Sequence, residues 1–478
     1  MGIKNFHVWL HEKFPTAFIP ITNNNIYEYI YIDLNFILHN SIYSCRTEKD
    51  FMHRLTNNLD ILFSNVMATK EIFFAIDGPS SFAKIILQRQ RRLTNSNTSQ
   101  KNPKAISSLC LTPGISIMAR IEAQIRKYIE GLQLKYKFNK PKCTVSFSNE
   151  PNEGEIKICK KVIENGKSNL SFRHLIIGND SDLIVLAMGM KPVYNINILI
   201  KAKEHNEILS LKHLLHAHCK FIGRDDKIEV LTHSNFREDF IVLSIMMGND
   251  YLPKVAFIKY ENLWKLYKEL ISKNEIKLPN NNNHSEITLI NSNNTFNIDV
   301  ISNFMLLIYN GLSKNHKEVN VNTYNKKQAS SYLEGILWCV NMYKTGNCTK
   351  YDYMYTNNSP HPHELLFHIC SEKDNIKYTP TDFKPISTHV YPLIIMPKGA
   401  ISLLTVAQQK LMSNELKYLY EREECIPCHK FKTDMGEIRK QVMCNEDIDI
   451  KSEFQKKYKI IENKYKNHII LLDNVIFH

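Results

Sequence analysis

Three short apolar segments that each end at acidic residues constrain the fold of this chain most. They lie at residues 26–39, 71–78 and 174–182 and are rich in β-branched and aromatic residues, which favour strands. Segments with helical spacing, such as residues 118–132 and 155–163, lie between them. This alternation predicts an α/β fold with a mostly parallel central sheet flanked by helices, in which ligands bind at the carboxyl ends of the strands.

Seven carboxylates interrupt or end apolar segments, and those at strand ends are expected to share one crevice. They are Asp33, Asp77, Glu153, Glu155, Asp180, Asp182 and Asp250. Each one alone is better explained as a helix cap or turn residue, but seven together, with two acid-x-acid pairs, are not. Because so many like charges repel, a bound cation is indicated. Oxygen ligands with no nearby His or Cys select Mg²⁺ or Mn²⁺ over Zn²⁺.

A basic helix is predicted over residues 83–92, directly after the second acidic strand end. One face is polar and contains Lys84, Gln88, Arg91 and Arg92. The opposite face is apolar and contains Phe82, Ile86 and Leu93. Cations and an amide spread over two turns suit a phosphate group, because Arg offers bidentate donors and Lys a point charge. The alternative, commoner in general, is a solvated basic face.

The composition favours a folded protein with a polyanionic partner. Lys and Arg number 61 against 48 Asp and Glu, which gives a net charge of +13, and 43% of residues are hydrophobic, so a disordered or collagen-like chain is excluded. No stretch approaches the roughly 20 apolar residues of a membrane span, and the N-terminus lacks a secretory signal. The 11 scattered cysteines indicate reduced thiols, so we expect a cytoplasmic protein with no membrane contact.

One cysteine pair has a second interpretation. The string from Cys425 to His429 reads C-x-x-C-H, which matches a haem attachment sequence or half of a zinc site. A haem protein would need export, and a zinc ribbon would need a second C-x-x-C pair that the sequence lacks. Two free thiols in a loop is therefore the better interpretation.

Composition also divides the chain into regions. Residues 94–113 are rich in Asn, Ser, Thr and Lys and predict a mobile loop. We expect an α/β region at residues 1–275, an Asn-rich insertion or linker at 276–299, and a smaller, mainly helical region at 300–478. A separate apolar helix is predicted to end at the turn formed by Gly248-Asn249-Asp250.

The order of these motifs resembles the Xrn family of 5′→3′ exoribonucleases. The resembling motifs are Met1-Gly2-Ile3, Asp33-Leu34-Asn35, His39-Asn40, Asp77-Gly78, residues 83–92, Thr112-Pro113-Gly114, residues 153–157, residues 180–183 and Gly248-Asn249-Asp250. Their order over residues 1–258 is more specific than any single motif. The resemblance implies a PIN or flap-endonuclease-like nuclease core at 1–275 and an Xrn-like helical domain at 300–478.

The resemblance also implies roles for individual residues. The seven acids would bind two Mg²⁺ or Mn²⁺ ions, and Lys84, Gln88, Arg91 and Arg92 would clamp the 5′-monophosphate of single-stranded RNA. His39 and Asn35 would contact the first nucleotide, with His39 stacked on its base. Tyr353, or Tyr351, would replace the Trp that the family usually places opposite that histidine. The implied activity is stepwise hydrolysis of the RNA to mononucleotides in RNA decay.

The chain departs from the family pattern in several places. Asn152 stands where Gly is usual and Ile156 where His is usual, and the sequence ends at His478 without the long C-terminal domains of the large members. Such a compact chain suits a large DNA virus or a parasite, and we expect a monomer. Two alternatives stay open: a flap-endonuclease-like nuclease acting on DNA, and an inactive scaffold that binds RNA 5′ ends.

Overall fold

The computed structural model describes most of the chain up to Lys417. The described residues are 3, 5–21, 25–99, 106–135, 140–201, 206–224, 227, 232, 235–277, 287–317 and 324–417. All eight cysteines among them are free thiols. No helix among them combines the length and the apolar character that a membrane crossing requires.

A seven-stranded, mostly parallel sheet forms the centre of the molecule. Its strands are β1 (Phe18–Ile19), β2 (Ile26–Asp33), β3 (Met67–Ala75), β4 (Lys142–Ser146), β5 (His174–Ile177), β6 (Ile196–Lys201) and β7 (Asn206–Ser210), in the order β1-β7-β6-β5-β2-β3-β4. β2 pairs in parallel with β3 and β5, and the pairs β3–β4 and β5–β6 are parallel too. Only the edge made by β6, β7 and β1 is antiparallel. The predicted fold class is thereby confirmed.

Helices flank this sheet along the first part of the chain. They are α1 (Phe6–Lys13), α2 (Leu34–Ile42), α3 (Glu48–Asn65), α4 (Phe82–Ser99), α5 (Ser116–Lys135), α6 (Gly154–Gly166), α7 (Asp182–Gly189), α8 (Leu211–Ile222), α9 (Phe236–Met246) and α10 (Tyr260–Lys277). The helical spacing at residues 118–132 and 155–163 thus corresponds to α5 and α6, and the basic helix to α4.

The described part of the later chain is helical as well. Its helices are α11 (Ile298–Asn310), α12 (Lys314–Lys317), α13 (Lys326–Thr345), α14 (Pro362–Ser371), α15 (Tyr391–Ile395) and α16 (Val406–Ser413). Trp338 of α13 lies in the core on one face of the sheet, and Tyr391 of α15 lies in the core on the other. The division at residues 276–299 stays a prediction, although both cores contain side chains from either side of it.

Alternation along the strands explains why the sheet has two cores. In β2 the side chain of Tyr31 lies in one core, whereas Ile30 and Ile32 lie in the other, because successive side chains point to opposite faces. β5 follows the same rule, with Ile176 on the first face and Ile177 on the second. The strands therefore have apolar residues on both faces, as a buried parallel sheet requires.

The prediction of a mobile loop at residues 94–113 is wrong in two respects. Helix α4 continues to Ser99, because a helix gains a backbone hydrogen bond with each added residue and nothing in 94–99 is Gly or Pro. Further along, Leu109 and Thr112 are buried, and the hydroxyl of Thr112 accepts hydrogen bonds from Arg92 at 3.2 Å. The second part of the segment thus packs against α4.

A buried arginine fixes the end of helix α7. Arg237 has no exposed surface, and its guanidinium donates to the carbonyl oxygens of Met188 at 2.8 Å, Ala187 at 2.9 Å and Val193 at 3.0 Å. Carbonyls at a helix C-terminus lack partners within the helix, and a cation there also offsets the helix dipole. Arg237 therefore holds the helix whose first residue is Asp182.

Candidate active site

The carboxyl ends of three adjacent parallel strands carry the first acids of the site. Asp33 is the last residue of β2, Asp77 follows β3, and Asp180 follows β5. Since β2 lies between β3 and β5 in the sheet, all three carboxylates reach the same edge, as predicted from the sequence. Asp182 joins them as the first residue of α7.

The start of α6 brings two more acids to this edge. Gly154 lies between Glu153 and Glu155, and its backbone N–H donates to Oδ1 of Asp77 at 2.7 Å. A Cβ atom at Gly154 would lie 3.2 Å from Asp33 Oδ1 and 3.4 Å from Asp77 Oδ1. The absence of a side chain at this position thus lets α6 approach both aspartates closely.

A tight turn after α9 supplies the seventh acid. Gly248 has φ +91°, a conformation that glycine adopts readily, and the side-chain oxygen of Asn249 accepts from the backbone N–H groups of Tyr251 at 3.0 Å and Leu252 at 2.8 Å. This turn places Asp250 within range of the charge of Asp182. We call the seven carboxylates together the acidic cluster.

Burial and mutual repulsion raise the pKa of three members of the acidic cluster. For Asp33, burial followed by the charges of Asp77 and Asp180 raises the pKa to about 8. For Glu155, burial followed by Asp180 and Asp33 raises the pKa well above its ordinary value. The pKa of Asp182 is raised in the same way, by burial and then by Asp180 and Asp250. A cation among them would favour the ionised forms.

The other end of the acidic cluster contains its own cations. Lys84 of α4 forms ion pairs with Glu153 and, at 2.7 Å, with Asp250, and Arg91 pairs with Asp250 at 2.9 Å. Burial would raise the pKa of Asp250, but Lys84 and Arg91 outweigh it and lower the pKa. Burial also raises the pKa of Glu153, and Lys84 opposes that rise. Asp250 is therefore ionised at neutral pH by virtue of α4.

The remaining residues of the basic face of α4, defined as Lys84, Gln88, Arg91 and Arg92, also have partners. Oε1 of Gln88 accepts from the hydroxyl of Tyr391 at 2.5 Å, and Arg92 donates to Thr112. Burial lowers the pKa of Arg92, and the nearby charge of Asp77 opposes that shift. The basic face thus adjoins the acidic cluster, as an enzyme that positions a terminal phosphate beside its reactive centre requires.

Asn35 and His39 lie on α2, which starts directly after Asp33. The backbone N–H of Asn35 donates to Asp33 Oδ1 at 3.0 Å, and its side-chain oxygen accepts from the backbone N–H of Asp77 at 3.1 Å. Asn35 therefore fixes two acids relative to each other. His39 is exposed one turn later, and it lies within range of the charges of Asp77 and Arg92. Their contacts with a nucleotide stay predictions.

The structure gives no support to base stacking by Tyr353. Its side chain is only 3% exposed, its ring centroid lies 4.5 Å from that of Trp338, and its hydroxyl donates to Ser331 O at 2.9 Å. Tyr351 is also buried, with its hydroxyl donating to Asn152 Oδ1 at 2.6 Å. The Tyr353 ring is thus packed against α13, and the burial of both rings leaves little surface for a base.

The donor set fits Mg²⁺ or Mn²⁺ in its chemistry, because it consists of carboxylate oxygens with no Cys in the acidic cluster. Among residues 3–417 as far as the structure describes them, no three His, Cys, Asp or Glu side chains are arranged to enclose an ion. The raised pKa values are the observation that favours metal binding: this many buried acids in one crevice are stabilised in their charged form by a divalent cation.

Sequence reasoning missed several residues that support the site. Tyr251 donates to Glu153 Oε1 at 2.8 Å, and Lys157 donates to the carbonyl oxygens of Ile76 at 2.7 Å and Phe147 at 2.8 Å, which fixes α6 to the strand ends. Asn152 has φ +83°, which explains why it can replace the usual Gly: Asn is one of the few other residues that tolerate this conformation. That departure was a signal in the sequence for a left-handed turn.

The Cys425 and Cys428 pair lies outside the described residues. Its interpretation as two free thiols stays a prediction.

Comparison with known proteins shows a family that the residues of the site resemble. The family model described as "XRN 5'-3' exonuclease N-terminus" matches residues 1–201, which contain six of the seven acids and the basic face of α4. The 5′-3′ exoribonuclease 1 of Saccharomyces cerevisiae is 26% identical over 382 residues. Residues 1–201 are therefore similar to the N-terminal nuclease domain of the Xrn family.

The Xrn relatives are much longer than the part that this chain matches. The match to the yeast protein covers 70% of this chain and 24% of the yeast protein. The 5′-3′ exoribonuclease 1 of Homo sapiens is 26% identical, and its match covers 54% of this chain and 18% of the human protein. Among solved structures, the catalytic core of Rad2 in complex with DNA substrate covers 78% of this chain and 95% of its own, at 13% identity and a TM-score of 0.36. That structural likeness is too low to bear on the site.

Proposed function

We propose that this protein is a 5′→3′ exoribonuclease that hydrolyses 5′-monophosphorylated single-stranded RNA to mononucleotides with the help of two divalent cations. The observation that carries the proposal is the contact between the acidic cluster and the basic face of α4, made by the ion pairs of Lys84 and Arg91. The match of residues 1–201 to the Xrn N-terminal model supports it.

The chain's own residues have distinct tasks in this proposal. Asp33, Asp77, Glu153, Glu155, Asp180, Asp182 and Asp250 would hold the ions. When bound, Mg²⁺ or Mn²⁺ would activate water and offset negative charge on the phosphodiester. The guanidinium groups of Arg91 and Arg92 and the amide of Gln88 would receive the terminal phosphate. Lys84 would keep Glu153 and Asp250 ionised and correctly placed.

The basic face is small and already surrounded by protein. Gln88 is 9% exposed and bonded to Tyr391, and Arg92 is bonded to Thr112. Such a site accommodates a single phosphate more readily than a triphosphate or a cap, since every added group would need to displace one of these contacts. Recognition of the 5′ end would thereby select decaying RNA, and we place the protein in RNA decay in a reducing compartment, acting as a monomer.

Hydrolysis of RNAs that differ only at the 5′ end tests the proposal. RNA with a 5′-phosphate should be degraded to mononucleotides in Mg²⁺ or Mn²⁺ and not in chelator, while 5′-triphosphate and 5′-hydroxyl RNAs should resist. Arg92→Gln should reduce the preference for the 5′-phosphate, whereas Lys127→Gln, which changes an exposed lysine on α5, should not. Equal decay of all three RNAs would refute end recognition.

Two further outcomes decide between the alternatives. Cleavage of a 5′ flap in DNA in preference to RNA would favour a flap-endonuclease-like activity. Binding of 5′-phosphorylated RNA without turnover in either metal would favour a scaffold that retains RNA 5′ ends.

A further inference from the structure

Phe257, in the loop between α9 and α10, has an unusual conformation. Its φ is +63°, which a bulky residue adopts only at a cost of about 1–2 kcal/mol, and its side chain is 50% exposed. Burial of the ring therefore does not explain the conformation. Backbone strain of this kind is concentrated at functional sites, and this loop starts at the turn that carries Asp250.

The exposed ring of Phe257 is held by two histidines. It stacks on His316 with ring centroids 4.0 Å apart and an angle of 16° between the planes, and it meets the edge of His361 at 5.7 Å. Nε2 of His361 donates to the carbonyl oxygen of His316 at 2.9 Å, while its Nδ1 accepts from the backbone N–H of His363 at 3.1 Å. One tautomer of His361 satisfies both bonds, so the stacked pair has a fixed support.

Two exposed lysines flank Phe257 in the sequence. Lys254 and Lys259 lie three residues before and two residues after Phe257, and partial burial together with the charge of Lys259 lowers the pKa of Lys254. The two ammonium groups are thus near enough to repel each other, and an anion between them would relieve that repulsion. We call Lys254, Phe257, Lys259 and His316 the Phe257 platform.

The Phe257 platform is fixed to the loop that carries Asp250. A Cβ atom at Gly248 would lie 2.9 Å from the backbone nitrogen of Lys254, and the N–H groups of Val255 and Ala256 donate to Met246 O and Pro360 O, both at 2.9 Å. Phe257 is seven residues beyond Asp250, so the two Cα atoms are at most about 25 Å apart. At about 3.4 Å per stacked nucleotide, a strand of at most about seven nucleotides spans that distance.

We propose that the Phe257 platform binds the single-stranded RNA substrate on the 3′ side of the cleaved bond, with one base stacked on Phe257 and adjacent phosphates between Lys254 and Lys259. Exposed aromatic rings beside cations are the combination that binds single strands without sequence preference. The inference rests on the proposed function for the identity of the strand, and it adds a second contact that holds the RNA while its 5′ end is at the acidic cluster.

Binding without turnover tests the platform separately from catalysis. The probes are 5′-phosphorylated RNAs of about 20 nucleotides, each with one 2-aminopurine among about the first seven positions, mixed with the full chain in excess chelator. Phe257→Ala should weaken binding about fivefold or more, the effect of losing one stacked base, and should abolish quenching of the 2-aminopurine. Phe257→Tyr, which keeps the ring, should bind like the native chain, as should Phe367→Ala, which removes another ring, 47% exposed.

Further variants guard against misfolding and separate the two proposals. Phe257→Asn tolerates positive φ and should show the same loss of binding with an unchanged melting temperature. Native binding and quenching in Phe257→Ala would overturn the platform, whatever the hydrolysis assays show, and would favour a protein partner for this surface. Weakened binding in a chain that hydrolyses no RNA would keep the platform and refute the proposed activity.

Discussion

Asp250 and Asp33 are both buried aspartates of the acidic cluster, yet their pKa values shift in opposite directions. Lys84 and Arg91 hold the pKa of Asp250 below its ordinary value, whereas burial and neighbouring carboxylates raise that of Asp33 to about 8. Burial acts to raise both pKa values, but the cationic partners of Asp250 outweigh it. The protein thus supplies counter-charge to Asp250 from α4, whereas under the proposed function a bound cation would supply it at Asp33.

The largest expected effect is on activity, at the end of the cluster where burial and neighbouring acids raise the pKa of Asp182. Asp182→Asn should reduce RNA hydrolysis by about 10²–10³-fold, because it removes one charge that would bind metal. Asn keeps the oxygen that accepts from Ile3 N–H at 3.1 Å, so the metal-free protein should melt at the same or a higher temperature. A lower melting temperature without metal would show that the charge of Asp182 is balanced within the protein.

The next effect is a loss of stability, and it concerns the end of the acidic cluster that contains Asp250. Asp250→Asn should destabilise the metal-free protein by about 3 kcal/mol, because Arg91 and Lys84 lose a buried partner. Urea unfolding measures this change, and Glu261→Gln, at an acid in the first turn of α10, is the control. If Asp250→Asn and Asp182→Asn had equal effects on stability, the contrast between the two ends would be refuted.

A smaller effect, a change of several degrees in the melting temperature, is expected when pH and metal concentration are varied together. The pKa of Asp33 is near 3.8 in the unfolded chain and about 8 in the folded one, so the folded state binds more protons between these values and the metal-free protein loses stability as pH rises from about 4 to 8. Divalent ions compete with those protons, so the rise in melting temperature caused by Mg²⁺ or Mn²⁺ should grow over the same window. A rise independent of pH would contradict this account.

The smallest expected effect concerns the basic face of α4 and neither end of the acidic cluster. Tyr391→Phe removes the hydroxyl that bonds to Gln88 and Ser80 and should cost about 1 kcal/mol of stability. It should also raise KM for 5′-phosphorylated RNA a few-fold with kcat nearly unchanged, since Gln88 loses its support. Tyr355→Phe, which removes a hydroxyl bonded to Asn358 O, is the control and should leave KM unchanged.

The features that local sequence encodes were predictable. The strands β2, β3 and β5 follow from runs of β-branched and aromatic residues, and their parallel pairing brings Asp33, Asp77 and Asp180 to one edge by geometry alone. The basic face of α4 follows from helical spacing. Both predictions depend on residues a few positions apart, so no tertiary information was needed.

The charge balance of the site was not predictable. Lys84 and Asp250 are 166 residues apart, and Gln88 and Tyr391 are 303 residues apart, so no short pattern joins them. The sequence therefore assigned Lys84 to phosphate alone, although it also neutralises two acids. Tyr353 illustrates the same limit, because its burial against Trp338 depends on how α13 packs.

The late position of Tyr391 in the chain has a consequence for biosynthesis. The α15 helix supports α4 through Tyr391, which bonds to Gln88, and through the carbonyl of Ile394, which accepts from Arg89. A ribosome releases the first strands and α4 long before it reaches these residues. The nascent protein therefore cannot complete the support of the basic face of α4 until residues 391–394 have been made, which under the proposed function would delay nuclease activity while the chain is still beside the message that encodes it.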